Sequence, residues 1–198
     1  DDYSDEDLRQ RIIYVETSRG CCFSCEFCLS SMEKKVRTFS HDRVLPAFRR
    51  LIDRGCLGFK FIDRTFNLEP DACIRVLDFF YRHWPRYDDG RLIGPEKTRQ
   101  AGLGADRGGS FFLHFEVVPD RFNPALVESL SRFPDGGIQL EMGIQTFNPE
   151  VGERISRRVD VTETCRNIKL LKEHTGVHIH ADLIVGLPGE DDVGFAES

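Results

Sequence analysis

No apolar stretch in this 198-residue chain approaches the ~20 residues of a membrane span. No signal-peptide pattern opens it either, so the sequence points to the cytoplasm. Basic residues are not in excess: 27 Lys and Arg against 33 Asp and Glu give a net charge of −6, which argues against general binding to a nucleic-acid backbone. A disulfide framework is also missing. The seven cysteines are an odd count, and Cys21, Cys22, Cys25 and Cys28 crowd together instead of spreading as in secreted scaffolds. There is no second C-x2-C pair to complete a four-cysteine zinc or cluster site. At 40% hydrophobic residues, the chain suits one globular domain of ordinary size.

In place of a fourth ligand stands a C-x3-C-x2-C triplet, Cys21, Cys25 and Cys28, just after the strand-like run Ile12-Ile13-Tyr14-Val15. Three thiolates on one loop can converge on a soft metal centre. Three ligands and an open position suit a cluster that does chemistry at its unligated iron. Cys22 reads as a bystander facing away. Cys56, Cys73 and Cys165 lie in apolar or helical contexts and read as inert core thiols.

Five strand-like runs, at about 12–17, 58–63, 111–117, 138–145 and 178–185, alternate with helical patterns. Asn123-Pro124 and Asn148-Pro149 each supply an N-cap followed by a first-turn proline, and Thr162 or Thr164 is a candidate start for the last full helix. Such alternation predicts a parallel sheet with right-handed crossovers. The fold class expected is α/β, a partial open barrel with about five β/α units. On the last three strands one face is apolar and the other polar: His114 and Glu116; Gln139, Glu141 and Gln145; His178, His180 and Asp182. Branched apolar side chains usually fill a closed barrel. A polar lumen fits an open barrel around a charged ligand, or else a satisfied buried network of His and carboxylates.

Residues 1–9 read as an acidic linker from a further N-terminal domain, 10–198 as a core cut near strand five, and 85–110 as a flexible insertion.

Taken together, these motifs resemble the radical S-adenosylmethionine (SAM) superfamily, and more narrowly its cobalamin-associated enzymes with a C-terminal domain of unknown function. The resemblance covers about residues 10–195. It rests on Glu16-Thr17-Ser18-Arg19-Gly20-Cys21 with the triplet, Phe61-Ile62-Asp63-Arg64-Thr65-Phe66-Asn67, Phe115-Glu116-Val117, Gly143-Ile144-Gln145-Thr146-Phe147-Asn148, and Asp182 through Glu190. It implies a (β/α)6-type barrel core and a [4Fe-4S] cluster on Cys21, Cys25 and Cys28. SAM would chelate the fourth iron and be cleaved to a 5′-deoxyadenosyl radical. Cobalamin, where used, would be held by a domain outside this chain. An external one-electron reductant of flavodoxin or ferredoxin type is implied as partner, and the substrate is unknown.

Residue by residue, the resemblance sets Phe27 near the adenine, with core packing as its alternative. Asp63, Arg64 and Thr65 fall where relatives hold the cofactor's amino group, although the usual Gly-Gly-Glu is absent. Glu116 matches a carboxylate facing the methionine or ribose part, and Gln145 and Asp182 match ribose contacts. Arg157 matches an arginine that pairs the cofactor carboxylate, with Arg154 and Arg158 as near neighbours. Gly186 opens a turn that brings backbone to the adenine. Cys22 replaces the proline common after the first cysteine. The competing reading is a non-catalytic iron–sulfur or zinc protein for electron transfer or structure, which needs no cavity beside its metal.

Overall fold

The computed structural model describes residues 3–88, 91–93 and 111–197. The chain opens with α1 (Asp5–Gln10), β1 (Ile13–Val15), β2 (Ser18–Arg19), β3 (Arg37–Thr38), α2 (His41–Asp53) and β4 (Gly58–Phe61). It continues through α3 (Pro70–His83), β5 (Arg86–Asp88), β6 (Arg91–Ile93), β7 (Phe112–Val117) and α4 (Pro124–Ser131). β8 (Ile138–Gln145), α5 (Pro149–Arg154), α6 (Val161–His174), β9 (His178–Leu183) and α7 (Asp192–Glu197) complete it.

The main sheet has five strands in the order β1-β4-β7-β8-β9. Every pairing in it is parallel and each strand sits beside its successor, as the alternation predicts. Among the described residues β1 and β9 each have one partner within it, so the sheet they form is open. β9 ends at Leu183, short of residue 185, and a register irregularity separates Gly143 from Gln145 along β8.

One face of the sheet is the core. Burial alternates residue by residue along β8, with Ile138, Leu140, Met142 and Ile144 all 2% exposed or less. Phe59, Phe61 and Phe115 extend that layer, and Phe61 and Phe66 stack on Phe115 at 4.5 and 4.1 Å between ring centres. Phe48 from α2 and Phe80 from α3 close over it. Asn123 and Asn148 cap α4 and α5 ahead of their prolines. α6 is capped instead by Asp160, whose carboxylate accepts from the Glu163 N–H at 2.9 Å. A carboxylate with that reach satisfies an orphan donor before either threonine can.

Other expectations are corrected. Of residues 1–9, read as linker, those from Asp5 onward belong to α1 (Asp5–Gln10), started by a reciprocal cap between Ser4 and Asp7, and Leu8 enters the main core. Cys56 and Cys73 are buried, but Cys165 is exposed on α6. Of the segment 85–110, β5 and β6 form an antiparallel pair; residues 89, 90 and 94–110 lie outside the described residues, and so does their expected role as an insertion.

Candidate cluster and cofactor site

The cysteine loop, residues 20–36, hangs from a small antiparallel pair that the sequence did not announce: Ser18 opposite Thr38 and Arg19 opposite Arg37. Gly20 turns the chain into the loop at φ +99°, and a Cβ there would collide with the Lys35 carbonyl oxygen. Only glycine meets both demands. The Cys21 N–H donates to the Glu33 carbonyl at 3.0 Å, closing the loop's neck. On its far side the Glu26 N–H donates to the Ile155 carbonyl at 3.1 Å, and Ser156 Oγ donates to the Glu26 carboxylate at 3.1 Å. These bonds tie the loop to the end of α5.

A third anchor is Asp63, just beyond β4. Its carboxylate accepts from the Thr17 N–H at 2.9 Å, from Thr17 Oγ1 at 2.6 Å and from Ser18 Oγ at 2.8 Å. The residue is 1% exposed. A buried charge this well bonded is a brace. It holds the segment leading into Gly20 against the strand that ends beside it.

Cys21, Cys25 and Cys28 open into one cavity at the C-terminal ends of the strands, and Cys22 is exposed outside it. Among the described residues no three His, Cys, Asp or Glu side chains converge on a single metal ion. The three thiols thus share one opening but do not face a single point, contrary to expectation. A cubane sets each thiolate on its own iron, so it needs three thiols around one opening. Burial pushes the Cys21 thiol up, so ligation there releases a proton as the thiolate forms.

The opposite wall carries the charges. Arg157 Nη2 donates to the Gly143 carbonyl at 2.6 Å, and Nη1 approaches Cys25 Sγ at 3.9 Å. Its guanidinium lies 5.0 Å from the centre of the Phe23 ring, and its Nε is buried without a partner. Arg154 instead reaches the Pro188 carbonyl, and Arg158 pairs with Glu153 at the surface. Of the three arginines, Arg157 alone lines the cavity.

Glu116 lines the cavity with Arg64, the two paired at 3.3 Å. Gln145 and Asp182 also line it, and Gln145 has a positive φ of 75°. Phe27 lines the rim at 44% exposure. Glu141 reaches in from mid-β8, backed by His114 Nε2 at 2.7 Å. Two guanidiniums thus face three carboxylates, matching a ligand with a modest net positive charge.

Asp63, Thr65 and Gly186, expected at the cofactor, do not line this cavity. Asp63 is spent on Thr17 and Ser18. Thr65 is buried with its Oγ1 unpartnered. Gly186 adopts φ +81° in the turn after β9, next to Leu187, which packs on Val151 and Ile155. Sequence reasoning did not single out Phe23; it set Arg64 at the cofactor's amino group, and it named Glu141 only as part of a polar strand face and Gly143 only within a motif. Strand parity did set Glu141 on the same face as Gln145, without assigning it to the cofactor.

The chain is similar to several known proteins. It is 26% identical over 185 residues to a ribosomal protein uS12 methylthiotransferase RimO of Heliobacterium modesticaldum, covering 92% of this chain and 36% of that protein. It is 27% identical over 180 residues to an uncharacterized methyltransferase of Pyrococcus horikoshii, covering 89% and 33%. Among solved structures, the radical SAM methyltransferase TsrM of Kitasatospora setae, with cobalamin and a [4Fe-4S] cluster bound, shares the fold at TM-score 0.69 and 18% identity, over 96% of this chain and 32% of TsrM. The cobalamin-dependent radical SAM enzyme OxsB does so at TM-score 0.67 and 14% identity, over 94% and 26%. This chain therefore spans about a third of the length of the curated relatives it matches. A family model for the radical SAM superfamily matches residues 15–198, and the chain belongs to that superfamily of enzymes, which work with a [4Fe-4S] cluster and SAM.

Proposed function

We propose that this chain is the radical-generating core of a larger enzyme, with its cluster on Cys21, Cys25 and Cys28 and its SAM in the adjoining cavity. The observation that carries this reading is the shared cavity: three thiols on one wall, Arg157 and three carboxylates on the other, and Cys22 outside. A purely structural or electron-carrying metal site has no use for such a charged chamber. When bound, a reduced cluster supplies the electron that splits the sulfonium of SAM into methionine and a 5′-deoxyadenosyl radical.

The chain's own residues divide the cofactor between them. Arg157, which lines the cavity, would pair with the carboxylate through its guanidinium. Glu116 takes the ammonium, and Gln145 and Asp182 take the ribose hydroxyls. Phe27 at the rim covers the adenine. Asp63 contributes by holding the loop, and Thr65, buried outside the cavity, makes no contact in this reading. Methyl or methylthio transfer is the outcome proposed for the complete enzyme, because RimO is named a methylthiotransferase and the Pyrococcus horikoshii protein and TsrM are named methyltransferases. Cobalamin, if it takes part, is bound by residues beyond this chain. An external carrier supplies the electron.

Anaerobic reconstitution with iron and sulfide, followed by dithionite and SAM, tests this reading. The expected result is brown absorbance and release of 5′-deoxyadenosine, both lost in Cys21→Ala, Cys25→Ala or Cys28→Ala and kept in Cys56→Ala. A stable cluster in Cys25→Ala would overturn the ligand set.

A further inference from the structure

Leu29 and Met32 are the most exposed large apolar side chains among the described residues, at 86% and 84%. They sit on the single 3-10 turn Leu29–Met32, immediately after the third cysteine of the triplet. In that geometry side chains three apart eclipse, so the two form one apolar knob. The turn is folded back on the ligand itself: the Ser31 N–H and Ser31 Oγ both donate to the Cys28 carbonyl, at 3.1 and 2.7 Å. Next to the knob stand Lys34 and Lys35, both exposed. Neither forms an ion pair among the described residues, whereas Arg37 is neutralised by Glu33 and Arg19 by Glu16.

We propose that this knob and its two lysines are the docking surface for an acidic one-electron carrier protein that reduces the cluster. The inference rests on the cluster reading above and adds the partner's entry point. Apolar side chains this exposed stabilise nothing in the free chain and gain by being covered. Electron transfer falls steeply with distance, and a carrier seated on Leu29 is one residue from a cluster ligand. The charge decides which partner. The chain carries −6 overall, so an acidic carrier is repelled except where unpaired positive charge is concentrated. Lys34 and Lys35 supply that charge beside the knob, giving an apolar centre with a basic rim.

The reconstituted chain and two variants, Lys34→Glu/Lys35→Glu and Leu29→Ser/Met32→Ser, would be reduced anaerobically by photoreduced flavodoxin and, separately, by dithionite. Cluster reduction would be followed by absorbance in a stopped-flow instrument. The flavodoxin-driven rate should fall at least about tenfold in the charge-reversal variant at low salt. The wild-type rate should fall as salt is raised, and the apolar variant should be slow at every salt concentration. Dithionite should reduce all three equally fast. Unchanged flavodoxin rates overturn the proposal, and so does a parallel loss of dithionite rate, which would make the turn structural. A wild-type dimer in sedimentation that Leu29→Ser/Met32→Ser dissolves also overturns it, because a second copy then covers the knob. A wild-type chain that takes up no dithionite-reducible cluster removes the underlying reading as well, and is told apart by failing before any variant is compared.

Discussion

Replacing Asp63 separates a brace from a cofactor contact. Its carboxylate is 1% exposed and accepts from three donors on the segment that leads into the cysteine loop. In Asp63→Ala the Thr17 N–H and Thr17 hydroxyl are left buried without an acceptor, at about 1–3 kcal/mol each. The half-buried Ser18 can turn to water. The loss is therefore about 2–6 kcal/mol, a large share of the ~5–15 kcal/mol that holds a domain together. Asp63→Asn is milder. Its amide nitrogen would face the Thr17 N–H donor to donor, but the remaining oxygen can keep both hydroxyls and the longer 3.1 Å bond from that N–H. About 1–2 kcal/mol is expected. Urea unfolding of the metal-free chain reads the stability, iron content after reconstitution reads the loop, and SAM titration reads the pocket. Both variants should lower the unfolding midpoint in that order, with iron content falling alongside. Wild-type midpoints combined with a loss of SAM affinity would refute the brace.

Gly20→Ala should lower both the unfolding midpoint and the iron-to-protein ratio. The left-handed backbone alone costs about 1–2 kcal/mol and the clash with Lys35 adds to it; a normal iron ratio in the variant would count against this account of the loop's neck. Arg157→Ala and Asp182→Ala should weaken SAM binding by about tenfold to hundredfold in an anaerobic titration with the cluster still assembled, as expected for one lost charge-assisted bond. Binding as tight as wild type in both would remove their assigned roles. Burial pushes the Cys56 and Cys73 thiols up to about 12, so both stay protonated and unreactive through neutral pH and become thiolates only as pH nears that value. Iodoacetamide near neutral pH should therefore label the exposed Cys22 and Cys165 at least about tenfold faster, by mass spectrometry; equal labelling of Cys56 would refute its burial.

The parallel sheet was legible because strand-like runs alternate with helical ones, and period-2 alternation holds over all eight residues of β8, whereas in β7 the buried His114 interrupts it. The β2–β3 pair was not, since two polar residues per strand carry no period. Asp63 looked like a cofactor contact because its partner Thr17 lies 46 positions away, and no local pattern announces that bond. Cys165 shows how one step matters on a helix: Thr164, Asn167 and Leu171 face inward, and Cys165 is rotated off that stripe. The triplet and its placement after β1 were readable outright. Which of the neighbouring arginines enters the cavity depended on the path of the chain after α5, which the spacing alone does not give.

Gly143 has a consequence for redesign. A Cβ there would press on the Gln145 amide, and its carbonyl already holds the Arg157 guanidinium at 2.6 Å. Residue 143 therefore acts as a volume dial on the chamber, one that carries no charge and no side-chain hydrogen bond of its own. A graded series through Ala, Ser and Val would narrow the space between Gln145 and Arg157 step by step. The first step already displaces the Gln145 amide, because even the alanine Cβ overlaps it.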